Sequence, residues 1–181
     1  MMSINHARRG MLIGAGAAVI TGIAGPAIAS IAKANVRRLS FDNLHTGEKV
    51  STEYWADGDY FPDALREIDH VLRDFRTGDV YSISLDLLDL LVVLRGKLET
   101  DLPIEIISGY RSPQTNAMLR EKSKGVAASS LHMDGMAIDL RVAGRQLTQV
   151  RNAAISLASG GVGYYPKDRF VHVDVGLVRH W

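Results

Sequence analysis

The sequence predicts an α+β domain in which a small antiparallel sheet packs against helices. After an initial pair of β-prone runs, the first half of the chain carries mainly helical patterns, whereas the second half carries short strands joined by turns. The sequence contains no repeated strand–helix–strand series and no glycine-rich phosphate loop. Strands and helices that are segregated in this way, with hairpin connections, are typical of α+β folds.

The first half begins with β-prone runs at residues 36–41 and 49–55, which predict a hairpin. Pro62 suits the first position of a helix, and apolar residues follow it at helical spacing. Ser84 can cap a second helix whose leucines form a wide apolar stripe, so this helix is predicted to lie in the core.

In the second half, apolar alternation and turn residues predict further elements in order. The predicted strands are 104–108, 137–142, 162–165 and 170–175. The predicted helices are 116–124 and 146–158.

Composition excludes several functions. The chain has 181 residues, enough for one domain, and a formal net charge of +1. Residues 1–34 hold three basic and no acidic residues, so the remainder has 18 basic against 20 acidic residues, a net charge of −2. Nucleic acid is therefore not an expected partner. Because there is no cysteine, any metal must be bound by His, Asp or Glu.

Residues 1–34 are predicted to be an export signal. Arg8 and Arg9 precede a short apolar run, and small-residue cleavage sites end at Ala29 and Ala34. The adjacent arginines favour the twin-arginine route; an ordinary secretory signal and an uncleaved anchor are the alternatives. Each places residues 35–181 outside the cytoplasm, and the expected product is a periplasmic monomer with no stable membrane span after processing.

Three side chains are candidates for a metal site. His132 lies in a loop before the Asp134-Gly135 turn, and Asp139 lies in the following strand. On the strand at 170–175, His172 shares the polar face with Asp174. If the two strands pair in antiparallel fashion, His172 can stand about 5 Å from Asp139. Three N/O ligands with an open fourth position are typical of catalytic zinc, although each of these residues alone is more often merely a solvated polar group.

The run Ser-x-His-x-x-Gly-x-Ala-x-Asp from Ser130 to Asp139, with His-Val-Asp at residues 172–174, resembles the D-Ala-D-Ala metallopeptidase and hedgehog superfamily. More closely, the chain is similar to the exported murein endopeptidase K type, whose upstream motif matches Ser-Gly-Tyr-Arg-Ser-Pro-x-x-Asn at residues 108–116. The resemblance covers residues 41–181 and implies a zinc ion bound by His132, Asp139 and His172. It also implies hydrolysis of peptidoglycan cross-links.

The same resemblance suggests that Arg111, with Ser108 and Tyr110, binds the substrate, although Arg111 could instead be a turn residue. Phe170 and Arg169 stand where many superfamily members carry a catalytic His or acid, so the general base is open. Asp174 is the first candidate and Asp168 the second, and either could instead orient a ligand imidazole.

Murein endopeptidase is the expected activity. A D-Ala-D-Ala carboxypeptidase is the nearest alternative. A zinc-containing wall-binding module without catalysis and a metal-free structural domain are the rivals from other classes.

Overall fold

Eight strands form one mixed sheet in the computed structural model, which describes residues 35–123 and 125–181. The spatial order is β3-β2-β1-β4-β5-β7-β6-β8. The strands are β1 (Val36–Asn43), β2 (Lys49–Ala56), β3 (Asp59–Tyr60), β4 (Ile104–Ser108), β5 (Ala137–Val142), β6 (Gly161–Tyr165), β7 (Phe170–Asp174) and β8 (Arg179–His180). The predicted export segment lies outside the described residues, so the domain boundary after residue 34 stays a prediction.

Four α-helices occur in the described part of the chain. They are α1 (Pro62–Val71), α2 (Leu85–Lys97), α3 (Pro113–Lys122) and α4 (Leu147–Leu157). Leucines of α2 pack in one buried core with alternate residues of the central strands, including Ile106, Leu140 and Val171. The residues between them on β5 and β7, Asp139 and His172 among them, therefore point to the other face of the sheet.

The α+β class is confirmed, but the sheet is larger than predicted and is not purely antiparallel. β1 pairs with β4 in parallel, and β6 pairs with β8 in parallel. A parallel pair needs a long crossover, and the segment between β1 and β4 supplies one with two strands, β2 and β3, and two helices, α1 and α2. The sequence predicted the antiparallel pairs β1–β2 and β5–β7, which the structure confirms. It predicted neither the two-residue strands β3 and β8 nor the two parallel pairs.

Two local differences affect the region of the predicted site. The helix expected at 116–124 begins earlier, at Pro113, because the Ser112 hydroxyl accepts a hydrogen bond from the Thr115 amide (3.1 Å) and caps it. His132 lies in a short 3₁₀ helix, Leu131–Asp134, and not in an irregular loop.

Among the described residues, no helix is both long enough and apolar enough to cross a membrane.

Candidate metal centre

Strands β5 and β7 bring Asp139 and His172 together. They pair in antiparallel fashion with His172 directly opposite Asp139, the register that the sequence pattern predicts. Asp139 Oδ1 lies 2.9 Å from His172 Nδ1. Val171 and Val173, on either side of His172, are buried in the core. The core therefore fixes the face on which the two polar side chains meet.

His132 reaches this face through the turn at Gly135. Gly135 has a φ of 65°, and a Cβ there would lie 2.4 Å from the Ser82 carbonyl oxygen, so the turn requires glycine. His132 is buried, and its Nδ1 lies 2.8 Å from the carbonyl oxygen of Gly109. Because a carbonyl only accepts, Nδ1 carries the hydrogen and leaves the Nε2 lone pair for the cluster.

The donor atoms of the three side chains form a small triangle. His132 Nε2 lies 3.2 Å from His172 Nδ1 and 3.3 Å from Asp139 Oδ1, and the third side measures 2.9 Å. Two donors that bind zinc tetrahedrally at about 2.0–2.1 Å stand about 3.3–3.4 Å apart. The spacing and the donor types therefore fit a small divalent cation such as zinc.

The cluster also stabilises positive charge. Burial opposes a charged imidazole at His172, but hydrogen bonds and charges from Asp139 and Asp174 raise its pKa to about 9. Burial likewise disfavours the charged form of Asp139, but the charges and hydrogen bonds of His132 and His172 outweigh burial and lower its pKa. A site that raises the pKa of a histidine in this way is suited to hold a cation.

Asp174 supports the cluster from behind His172. Its carboxylate has no exposed surface, and its Oδ2 lies 3.0 Å from His172 Nε2. The other contacts are the amides of Gly161 (2.9 Å) and Gly176 (2.8 Å) and the guanidinium of Arg179 (2.7 Å). Burial opposes ionisation of Asp174, but the hydrogen bonds from His172 and these groups prevail and lower its pKa. Both oxygens are thus occupied by donors.

Arg111 lies at the edge of the cluster. Its guanidinium is 3.7 Å from Asp139 Oδ2 and 3.4 Å from Asn116 Oδ1, both long contacts. The segment that carries Arg111 is fixed by Asp74, a buried carboxylate that accepts from the Ser112 amide (2.9 Å) and the Ser112 hydroxyl (2.7 Å).

A cleft of about 500 Å³ contains the cluster. The predicted residues Arg111, Asp168 and Asp174 line it, and Asp168 is exposed in the turn between β6 and β7. Ser108 and Tyr110 are not among the described residues that line the cleft. Tyr110 is buried and stacks on Tyr81, with ring centroids 4.9 Å apart.

Sequence reasoning missed several side chains at the site. Asp74 lies far from the cluster in sequence, and no pattern indicated its contact with Ser112. Three further residues were missed. Tyr165 and Trp181 line the cleft, and Arg179 forms an ion pair with Asp174. Trp181 directly follows β8, and a strand of only two residues gives no periodic signal in the sequence.

The fold and the cluster define an α+β domain that carries a candidate His-Asp-His metal centre. A family model described as Peptidoglycan L,D-endopeptidase MepK matches residues 31–181, and the chain belongs to this family. The chain is 44% identical over 156 residues to the Peptidoglycan L,D-endopeptidase MepK of Escherichia coli strain K12, covering 86% of each chain. It is 42% identical over 155 residues to the Probable peptidoglycan L,D-endopeptidase MepK of Haemophilus influenzae strain Rd, covering 85% of this chain and 83% of the relative. The resemblance identified from the sequence motifs is confirmed.

Proposed function

We propose that this chain hydrolyses L,D-peptide bonds in peptidoglycan cross-links and that His132, Asp139 and His172 bind a zinc ion for this reaction. The observation that carries the proposal is the triangle of two imidazole nitrogens and one carboxylate oxygen, 2.9–3.3 Å on a side, inside an open cleft. The names of the curated relatives supply the bond type. A bond between two diaminopimelate residues is one such cross-link.

The donor set supports zinc as the metal. Two imidazoles and one carboxylate leave a coordination position open, which is the usual form of a catalytic and not of a structural zinc site. When bound, zinc supplies Lewis acidity at the scissile carbonyl and makes water a stronger nucleophile near neutral pH. The chain's own residues must then orient the peptide and move protons.

Arg111 is proposed to bind a carboxylate or carbonyl oxygen of the substrate. Its contacts with Asp139 and Asn116 are long, so guanidinium hydrogens remain available to the cleft. A guanidinium offers two parallel donors to a carboxylate, which fixes the orientation of the bound group as well as its charge. Asp74 supports this role by fixing the backbone at Ser112, the next residue.

Proton transfer is proposed to depend on Asp168 and not on Asp174. Asp174 was the first candidate from the sequence, but its buried oxygens are occupied by His172, Arg179 and two backbone amides. That environment suits a carboxylate that orients the His172 ring, a role seen behind many metal-binding histidines. Asp168 is an exposed carboxylate in the lining of the same cleft, where it can reach water and a leaving amine.

The proposed site of action is the periplasm. The substrate class given by the relatives' names is a wall polymer outside the cytoplasm. The basic, apolar segment at residues 1–34 supports export to that compartment.

The test is turnover of defined cross-linked muropeptides by the purified, zinc-loaded protein, with products separated by liquid chromatography and identified by mass spectrometry. We expect cleavage of an L,D cross-link, no cleavage of a D,D cross-link in the same mixture, and loss of activity after chelation that added zinc restores. Equal cleavage of both bonds would contradict the assigned specificity. Turnover that survives complete metal removal would contradict the metal mechanism.

A further inference from the structure

Trp181 is held firmly beside the candidate metal centre. Its indole Nε1 donates to the hydroxyl of Tyr165 (2.8 Å). Its backbone amide donates to the carbonyl of Val162 (3.2 Å), and its carbonyl accepts from the Tyr164 amide (3.0 Å). The side chain and the main chain are thus both fixed to β6, so the indole has a defined place in the cleft.

Strand β6 leaves room for this indole at Gly163. Gly163 pairs directly with His172 in the ladder. A Cβ at Gly163 would lie 2.8 Å from two atoms of the indole and 2.8 Å from the Tyr165 ring, closer than real side chains approach. The indole therefore occupies the space above the strand next to His172, with the two ring centroids 5.4 Å apart.

Trp181, Tyr165 and Phe170 form an aromatic wall of the cleft. Tyr165 stacks on Phe170 with ring centroids 4.5 Å apart, and all three residues line the same cleft as Asp139 and His172. Trp181 remains 51% exposed although it is fixed by three hydrogen bonds. A rigid, half-exposed indole in a cleft is a typical contact surface for an apolar part of a ligand.

We propose that Trp181 contacts the substrate and determines specificity, by packing against the methylene chain of the diamino acid next to the scissile bond. This inference rests on the proposed function, which makes a diaminopimelate cross-link the substrate. The side chain of that residue is an aliphatic chain that ends in a charged centre. Its methylene groups match the aromatic wall, and its charged end matches the polar remainder of the cleft, where Arg111 lies.

The test compares two peptides with the same scissile bond. One carries diaminopimelate beside the bond, and the other carries alanine in its place and so lacks the methylene chain. For Trp181→Ala we expect kcat/KM to fall about 10- to 50-fold on the first peptide, mainly through KM, because burial of a few methylene groups has about this value. On the alanine peptide the loss is less than about threefold. Zinc content is expected to stay at the wild-type level in both Trp181→Ala and Trp181→Phe.

Trp55→Phe is the matched control, since Trp55 lies on β2 under the Arg37 guanidinium and outside the cleft lining. This variant should cleave both peptides like the wild type. An equal loss of kcat/KM on the two peptides in Trp181→Ala, or a loss of zinc, would overturn the inference and leave Trp181 as a support for His172.

A binding measurement separates this inference from the proposed function. The chain has two tryptophans, so Trp55→Phe leaves Trp181 as the one indole that reports. Titration of this variant with the diaminopimelate peptide should change its fluorescence in a saturable way, and the alanine peptide should bind at least about fivefold more weakly. If the wild type cleaves neither peptide, the proposed function fails while this titration still decides the role of Trp181. Equal affinity for the two peptides, or no change in fluorescence with either peptide, would overturn the inference.

Discussion

Asp139 and His172 face each other across the β5–β7 ladder, with 2.9 Å between Asp139 Oδ1 and His172 Nδ1. Neighbouring strands hold this pair, whereas His132 lies in a 3₁₀ helix. The imidazole ring of His132 is fixed by its hydrogen bond to the Gly109 carbonyl. In the candidate metal centre, two ligands, Asp139 and His172, are therefore placed by paired strands. The position of the third ligand, His132, depends on the turn at Gly135.

Replacement of His132 or His172 by alanine should remove both metal and activity. Two remaining ligands hold a divalent ion poorly, so zinc content is expected to fall from about one per chain to near zero after mild dialysis. Elemental analysis and muropeptide turnover measure the two effects. His70→Ala is the matched control, because His70 lies on α1 and its imidazole is near Glu48 and not in the cleft. Retained zinc and normal turnover in either cluster variant would mean that the ligands lie elsewhere.

The period-two pattern of strands explains why two of the three cluster residues could be brought together from the sequence. Valines on one face of the 170–175 run oriented His172 to the other face, and the same alternation oriented Asp139, so a correct pairing was enough to bring them together. The pairing itself was a choice among several strands, and the parallel β1–β4 contact shows that sequence order does not determine neighbours.

The rest of the site depends on contacts between distant segments. Asp74 and Ser112 are 38 residues apart, and their hydrogen bond joins the loop after α1 to the segment after β4. Tyr110 was expected in the cleft because it belongs to the same motif as Arg111, yet it stacks on Tyr81. Membership of a motif does not show which of its side chains face the substrate, because neighbouring residues point in different directions.

Asp74→Asn should destabilise the folded state at neutral pH and should make its stability less sensitive to acid pH. Burial would raise the pKa of Asp74, but hydrogen bonds from Thr115, Ser112 and the Arg76 amide outweigh it and hold the pKa below its ordinary value of 3.8. The charged carboxylate therefore stabilises the folded state above that value, and this contribution is lost as the pH falls through the folded-state pKa. An amide keeps one acceptor oxygen and loses the other, so the expected cost at neutral pH is about 1–3 kcal/mol.

Denaturant unfolding of the chelated protein at neutral and acid pH measures this effect without interference from metal. Asp79→Asn is the control, because Asp79 is an exposed carboxylate on the same loop. The difference between Asp74→Asn and the wild type should shrink as the pH falls. A difference that stays constant with pH would show that the ionised carboxylate is not the stabilising group.

Replacement of both Arg8 and Arg9 by lysine should keep the precursor inside the cell. The change preserves the charge of the segment, but the twin-arginine route requires the arginine pair itself. Fractionation of cells that produce the full chain measures the distribution of precursor and product. Unchanged export of the double variant, together with dependence on the general secretory machinery, would identify an ordinary secretory signal.

The final prediction separates the roles of Asp174 and Asp168. If Asp174 orients His172, then Asp174→Asn loses the acceptor for His172 Nε2 and the partner of Arg179. Zinc affinity should then fall about 10- to 100-fold, and added zinc should restore much of the turnover. If Asp168 transfers the proton, Asp168→Asn keeps normal zinc content and lowers turnover about 100-fold or more.

Zinc affinity and turnover at saturating zinc, measured on both variants, distinguish the alternatives because the two roles predict opposite patterns. Asp174→Asn with wild-type zinc affinity and lost turnover, beside an active Asp168→Asn, would make Asp174 the base despite its burial. Both variants fully active at saturating zinc would place the base on another residue of the cleft. We expect Asp174 to orient His172 and Asp168 to transfer the proton for a physical reason. The oxygens of Asp174 already accept from four groups and have no exposed surface, whereas Asp168 is exposed at the cleft.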